Sequence, residues 1–260
     1  MTALPCAAPA LAESGTAAAA SARPPSVHEL VVWANHRIIL GADWPESERA
    51  EAVRRLLAAR SPAAAGRFWD GVRRPKAAGD RGREMYPLFY VPPYDGGRKR
   101  PTLLGQRPGT HILSANAYEL EILRLLVLLA PDGPETRDMA GKTLARLRQS
   151  CFGGRGCPQG ECFDAMLVAL RFVAAAAPGE TEWLAGLVRT CRAHAAEKRR
   201  PWQAAWYFWL CLSELPPDLA RPETGRDARA MRLPASRMAP RPVLEAIRRK
   251  CLGTGHGSVS

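Results

Sequence analysis

The second half of the chain alternates between two apolar patterns, and the alternation predicts five helices. Three segments are apolar on nearly every side and end at or before a proline: residues 116–130, 162–177 and 201–215. The two segments between them, residues 134–150 and 180–200, are amphipathic. Helices that are apolar all round are buried, and amphipathic helices lie at a surface. We therefore expect stacked helix pairs over residues 116–217, with an inner and an outer layer.

An internal repeat supports this arrangement. The dipeptide Leu123-Arg124 recurs 47 residues later as Leu170-Arg171, and Pro131 recurs as Pro178. A repeat of this length corresponds to one helix hairpin, which cannot bury its apolar face without a neighbour. The sequence thus predicts consecutive hairpins, each with an inner helix followed by an outer one.

The rest of the chain is less regular and divides into four further segments, of which residues 1–25 are described last. Residues 26–74 predict three helices, at 26–40, 45–60 and 62–74, the first opened by a capping box of Ser26 and Glu29. Residues 75–115 are rich in proline and glycine, which predicts an irregular segment that is either a binding loop or lid, or a linker. Residues 218–260 predict a basic, partly helical tail. The overall expectation is an all-α fold.

The Ala-rich residues 1–25 predict a disordered leader. No Lys or Arg precedes Arg23, and Pro5, Pro9 and Glu13 interrupt the apolar stretch, so a signal peptide is not indicated. The chain also lacks an apolar run of the length that a transmembrane helix needs, so we expect no membrane partner. Seven cysteines without an export signal favour a reducing, cytoplasmic setting with unpaired thiols.

The net charge of +12 is concentrated on two flanks of a neutral centre. Residues 67–100 hold nine basic and four acidic residues, and residues 189–250 hold fourteen and six. Such flanks attract phosphate groups, which makes nucleic-acid binding one hypothesis. The alternative is a surface coated with arginine without a specific partner.

The segment CFGGRGCPQGEC, residues 151–162, is the main candidate for chemistry and is called the cysteine loop below. Its spacing, C-x5-C-x4-C, brings Cys151, Cys157 and Cys162 together between two predicted helices. Thiolates bind zinc and iron–sulfur clusters, and Cys191 or His194 on the next helix would supply a fourth ligand. Two alternatives remain: the thiols pack in the core while the glycines turn the chain, or one of them is a redox thiol.

Charged side chains in the predicted inner helices form a second group of candidates. Glu161 and Asp164 lie one turn apart, as an acid/base pair facing a cavity or as acids that favour a helix N-terminus. Arg124 and Arg171 fall inside apolar helices, where arginine needs partners. Those partners would be Glu119, Glu121 or Asp164, or else an anionic ligand bound together with His111.

An inner–outer hairpin of this length, with a glycine-rich loop before the inner helix, resembles the α/α-toroid repeats of terpenoid cyclases, prenyltransferases and lanthionine-cyclase-like proteins. The segment RQSCFGGRGCPQGECFDAMLVALRFVA carries most of the resemblance, which covers residues 110–217. It implies architecture only, because the DxDD and DDxxD motifs of the enzymes are absent. An open stack of the HEAT type fits the same pattern.

Three functions are compatible with these features. The first is a non-catalytic helical-repeat protein that binds a protein or small-molecule partner on a concave face. The second is a metal-dependent enzyme of the toroid type, with zinc or an iron–sulfur centre at the cysteine loop. The third is a nucleic-acid-binding protein that uses the basic flanks.

Overall fold

Helices account for the regular structure in every part of the chain that is described. The computed structural model describes residues 26–72, 85–93, 99–154, 157, 160–195, 202–220 and 239–253. Those residues contain no strand, so the predicted all-α class is confirmed. The predicted leader, residues 1–25, lies outside them, as does much of the basic flanks. None of the described helices is both long and apolar enough to cross a lipid bilayer.

Three helices precede the irregular segment: α1 (Val27–Leu40), α2 (Glu46–Ala58) and α3 (Pro62–Val72). The predicted capping box opens α1, since the backbone N–H of Ser26 donates to Glu29 at 2.7 Å and the backbone N–H of Glu29 donates to the Ser26 hydroxyl at 3.3 Å. Gly41 ends α1 in the left-handed region at φ 69°, where a side chain would be strained.

Six helices with defined bounds follow in the remaining described residues, and residues 217–220 are helical as well. The six are α4 (His111–Leu129), α5 (Pro134–Gln149), α6 (Glu161–Ala176), α7 (Thr181–Ala195), α8 (Trp202–Leu212) and α9 (Arg241–Gly253). The α4 and α6 helices pack along each other and are buried over most of their length. Their burial agrees with their apolar residues on nearly every side. The amphipathic α5 and α7 cover them, α8 packs on α6, and α9 packs on α1 and α8.

The α4 helix begins at His111, five residues before the predicted residue 116. Ser114 and Asn116 are of residue types that commonly cap helices, but both are buried inside the helix. The cap is Thr110, whose hydroxyl accepts from the backbone N–H of Leu113 at 3.3 Å. The irregular segment therefore ends at Thr110 rather than at residue 115.

The two hairpins end their inner helices in the same way. Ala130 closes α4 at φ −144° and ψ 64°, and its N–H donates to the Leu126 carbonyl at 2.8 Å. Ala177, 47 residues later, closes α6 at φ −145° and ψ 60°, and its N–H donates to Val173 at 2.8 Å. The outer helices α5 and α7 then begin at residues that are also 47 apart.

Candidate metal centre

The cysteine loop is held between α5 and α7 before it reaches α6. Phe152 is fully buried in the core. The Ser150 hydroxyl accepts from the backbone N–H of Gly153 at 3.0 Å, and the Ser150 carbonyl accepts from Gly154 at 2.9 Å. On the other side, the indole N–H of Trp183 donates to the Gly153 carbonyl at 2.8 Å. The position of the loop is thus set by neighbours on two helices.

The glycines of the cysteine loop allow close packing of the backbone as well as a reversal of the chain. A Cβ on Gly153 would lie 2.5 Å from the carbonyl oxygen of Leu147, and one on Gly154 would lie closer still to the carbonyl oxygen of Arg148. Only Gly160, among the described glycines of the loop, has a positive φ, at 50°. The loop therefore needs glycine at two positions because its backbone rests directly on the last turn of α5.

The loop brings its three thiols together. The Sγ atoms of Cys151, Cys157 and Cys162 lie within 4.8 Å of one another, and those of Cys151 and Cys162 are 3.9 Å apart. The backbone N–H of Cys157 donates to the Cys151 carbonyl at 3.0 Å, which folds the loop back on itself. Zinc–sulfur bonds of about 2.3 Å in a tetrahedron place two sulfurs about 3.8 Å apart. The spacing of the thiols suits one ion held by all three.

The predicted fourth ligands lie elsewhere. Cys191 is buried in α7 and contributes to the raised pKa of Cys211, after the effect of burial. The ring of His194 packs edge-on against Phe163 at 6.4 Å between centroids. Among the described residues, the group of ligand atoms within mutual reach contains neither side chain.

Two thiols of the loop have raised pKa values. Burial, together with the neighbouring Cys151 and Cys157, raises the pKa of Cys162 to about 12, so this thiol is protonated at neutral pH when no ion is bound. Burial likewise raises the pKa of Cys151. Reactive cysteines depend on a lowered pKa, so this environment disfavours a redox or nucleophilic thiol. A metal ion would displace the protons.

A fourth sulfur lies next to the loop and was not predicted. The Sδ atom of Met85 is 3.4 Å from the Sγ atom of Cys151. Met85 lies in the irregular segment, 66 residues before Cys151, and no local pattern relates the two. Only a contact between distant segments could have revealed it.

Residues 85–93, called the strap below, pack against the first half of α4 and are held there by a buried carboxylate. Glu119 is fully buried and accepts backbone N–H groups of Leu88 at 2.8 Å, Phe89 at 2.6 Å and Tyr90 at 3.1 Å. Arg146 of α5 approaches the same carboxylate, with Nη2 at 3.5 Å from Oε1. The strap thus completes the hydrogen bonding of a charge that would be costly to bury alone.

The start of the strap is fixed by an amide. The side chain of Asn116 donates through Nδ2 to the carbonyl of Met85 at 2.8 Å and accepts from Arg146 Nη1 at 2.9 Å. Asn116 and Glu119 are one turn apart on α4. Together they place the backbone of Met85 over the cysteine loop.

Glu161 and Asp164, the candidates for an acid/base pair, hold a loop in place. Glu161 accepts the backbone N–H of Thr110 at 2.7 Å and bonds also to the Thr110 hydroxyl and the Gly109 N–H. Asp164 accepts from Gln106 Nε2 at 2.9 Å. Both carboxylates tie the segment before α4 to the first turn of α6.

Arg124 and Arg171 lie in a buried ion-pair network rather than apart. Arg171 donates to both oxygens of Glu214, at 2.7 and 2.8 Å, and to Glu121 at 2.6 Å. Arg124 bonds to Glu214 at 2.8 Å and to Asn35 Oδ1 at 3.0 Å. The expected partner Glu121 is present, and Glu214 was missed. These contacts favour the ion-pair interpretation over an anion site.

The network sets the charge state of Glu214. Burial by itself raises the pKa of this carboxyl, but Arg171 and Arg124 outweigh burial and leave the pKa below its ordinary value. Tyr207 donates its hydroxyl to the second oxygen of Glu121. Because two cations meet two carboxylates, the network is neutral as a whole.

His111, the third residue of the predicted anion site, is the first residue of α4 and is partly exposed. Burial lowers its pKa, and Lys99 lowers it further. The histidine is therefore biased toward the neutral form, which weakens its attraction for an anion.

The chain matches no known protein-family profile, and comparison with curated proteins and with solved structures finds no match either. The resemblance to α/α-toroid repeats stays a prediction from the helix pattern. Nucleic-acid binding by the basic flanks, which fall partly outside the described residues, also stays a prediction.

Proposed function

We propose that this chain is a helical binding protein whose functional centre is a single-ion metal site formed by Cys151, Cys157 and Cys162. The observation that carries the proposal is the convergence of three Sγ atoms within 4.8 Å. Thiolates favour thiophilic ions such as zinc(II) or copper(I) over calcium or magnesium. The cytoplasm, where thiols remain reduced, is the compartment that fits this chemistry.

A single ion fits the distances better than an iron–sulfur cluster. A cluster commonly takes four cysteines, distributed over two or more iron atoms. Here the Sγ atoms of Cys151 and Cys162 are only 3.9 Å apart, which is the spacing of two ligands on one ion. The group contains three described cysteines rather than four.

The helices serve as the support for this site. We propose that the α4–α5 and α6–α7 hairpins are two repeats of an open stack, because their inner helices end alike at Ala130 and Ala177. The cysteine loop connects the two hairpins at one end of the stack. An ion bound there would fix the angle between them and thereby the surface offered to a partner.

The hydrogen bonds already made by the nearby carboxylates, Glu161 and Asp164, favour binding over catalysis. Glu161 and Asp164 accept hydrogen bonds from the segment before α4, and a general acid or base needs its proton site directed at a substrate. The site as built offers sulfur ligands and no adjacent proton-transfer group among those two candidates.

Elemental analysis of protein purified without a histidine tag tests the proposal. We expect about one zinc or copper ion per chain, and loss of that ion in the double variant Cys151→Ser/Cys162→Ser. The variant Cys6→Ser, which removes a thiol from outside the cysteine loop, is the matched control and should retain the ion.

Two results would contradict the proposal. One is wild-type protein that holds no stoichiometric metal even after anaerobic reconstitution with zinc(II) or copper(I). The other is equal metal content in the double variant and in the control, which would place the ion elsewhere.

A further inference from the structure

Cys151 lies between two other sulfur atoms, one on the strap and one on α6. Its Sγ atom is 3.4 Å from the Sδ atom of Met85 and 3.9 Å from the Sγ atom of Cys162. Both neighbours are therefore within the reach of an ion that Cys151 binds. With Cys157, the site has four sulfur atoms, three from thiols and one from a thioether.

The thioether is positioned by buried polar groups. The amide of Asn116 holds the Met85 carbonyl at 2.8 Å, and the same amide accepts from Arg146, which is buried. Three residues further along, Glu119 binds consecutive backbone N–H groups of the strap. A segment fixed in this way holds Met85 next to Cys151 before any ion arrives.

We propose that Met85 is a metal ligand and that the site is selective for copper(I), an inference that rests on the metal site proposed above. Structural zinc sites are built from cysteine, histidine and carboxylate ligands. Thioether sulfur is a soft donor that joins thiolates around copper(I). Met85 adds a donor atom without adding negative charge.

The ligand set of the site favours a soft monovalent ion. The described cluster offers four sulfur atoms, from Cys151, Cys157, Cys162 and Met85, and no imidazole or carboxylate ligand. Zinc(II) has no strong interaction with a thioether and would depend on all three thiolates.

Selenomethionine labelling tests the ligand directly. The chain contains six methionines, and copper-edge X-ray absorption distinguishes a selenium neighbour from a sulfur neighbour. We expect a copper–selenium contact in labelled wild-type protein loaded anaerobically with one equivalent of copper(I). The contact should disappear in Met85→Leu, which conserves volume, and remain in Met139→Leu, which changes a buried methionine of α5.

Competition with chromophoric chelators measures the affinity of each protein for copper(I) and for zinc(II). Loss of a ligand should weaken copper(I) binding by about tenfold or more in Met85→Leu, while zinc(II) binding stays the same within error. Circular dichroism of both variants verifies that they are folded.

The outcomes separate the two proposals. Stoichiometric copper with sulfur neighbours only, and equal copper(I) affinity in Met85→Leu and wild type, would overturn the role of Met85 and leave the thiol site standing. Protein that binds neither copper(I) nor zinc(II) would overturn the thiol site itself.

Discussion

Arg171 and Glu214 form a bidentate ion pair inside the core, with Nε and Nη2 of the arginine at 2.7 and 2.8 Å from the two carboxylate oxygens. Arg171 lies in the middle of α6, and Glu214 lies just after the end of α8. Because Glu214 also binds Arg124 of α4, one carboxylate connects three helices. The pairing explains how two arginines are accommodated in apolar helices.

Replacing Arg171 with methionine should destabilise the fold strongly. The change leaves Glu214 and Glu121 buried with fewer partners, and breaking a buried pair in this way costs about 3–5 kcal/mol. Chemical denaturation would measure the loss in the free energy of unfolding. In the control Lys142→Met, which removes an exposed pair with Asp138, the loss should stay under about 0.5 kcal/mol. Equal losses in the two variants would contradict the role given to the network.

The same pair predicts the response to acid. The pKa of Glu214 lies below its ordinary value of 4.5 in the folded chain, so its contribution is complete above pH 4.5 and is lost as the pH falls through the lowered pKa. The difference in the free energy of unfolding between wild type and Glu214→Gln should therefore be constant from pH 7 to 5 and shrink below pH 4.5. If the difference in the free energy of unfolding between the two proteins grows as the pH falls, the pKa of Glu214 is not lowered in the folded chain and the account is contradicted.

The substitution Glu119→Gln should weaken the hydrogen bonds that hold the strap against α4. The amide has one acceptor oxygen and no charge, so it cannot satisfy three backbone N–H groups and Arg146 together. Hydrogen exchange at the amides of Leu88, Phe89 and Tyr90 should then accelerate by about tenfold for each 1.4 kcal/mol lost. The exposed replacement Glu135→Gln is the control, and unchanged protection in Glu119→Gln would contradict the account of the strap.

Short-range features of this fold were predictable from the sequence. The capping box of Ser26 and Glu29, the apolar character of α4 and α6, and the need of Arg171 for acidic partners depend on patterns within one or two helical turns or on burial alone. The 47-residue offset also placed Arg124 and Arg171 at matching positions.

Contacts between distant segments were not predictable. Glu214 is 43 residues from Arg171, and Met85 is 66 residues from Cys151, and neither contact follows from periodicity. The start of α4 was misplaced because Ser114 and Asn116 resemble caps, whereas Asn116 is used inside the helix to hold the strap. The acids Glu161 and Asp164 looked like a catalytic pair because sequence spacing cannot show what they bind.

One glycine of the cysteine loop and one glycine of α5 give predictions of opposite sign. Gly154→Ala should destabilise the protein, because a Cβ would collide with the carbonyl of Arg148. Gly141→Ala, in the interior of α5 with open space around it, should stabilise it by about 0.5–1 kcal/mol because alanine favours a helix. Thermal unfolding of both variants measures the effect, and a stable Gly154→Ala variant would show that the loop does not rest on α5 as described.

The central claim is that Cys151, Cys157 and Cys162 bind one ion together, and titration with cobalt(II) tests it most directly. Cobalt(II) in a thiolate-rich tetrahedral site shows intense visible bands and sulfur-to-metal charge transfer, whereas cobalt(II) in water or at scattered surface groups does not. We predict an end point of one cobalt per chain and charge-transfer absorbance that falls in each of the three single Cys→Ser variants. Absence of these bands in the reduced wild-type protein, or bands that none of the three variants weakens, would contradict the claim.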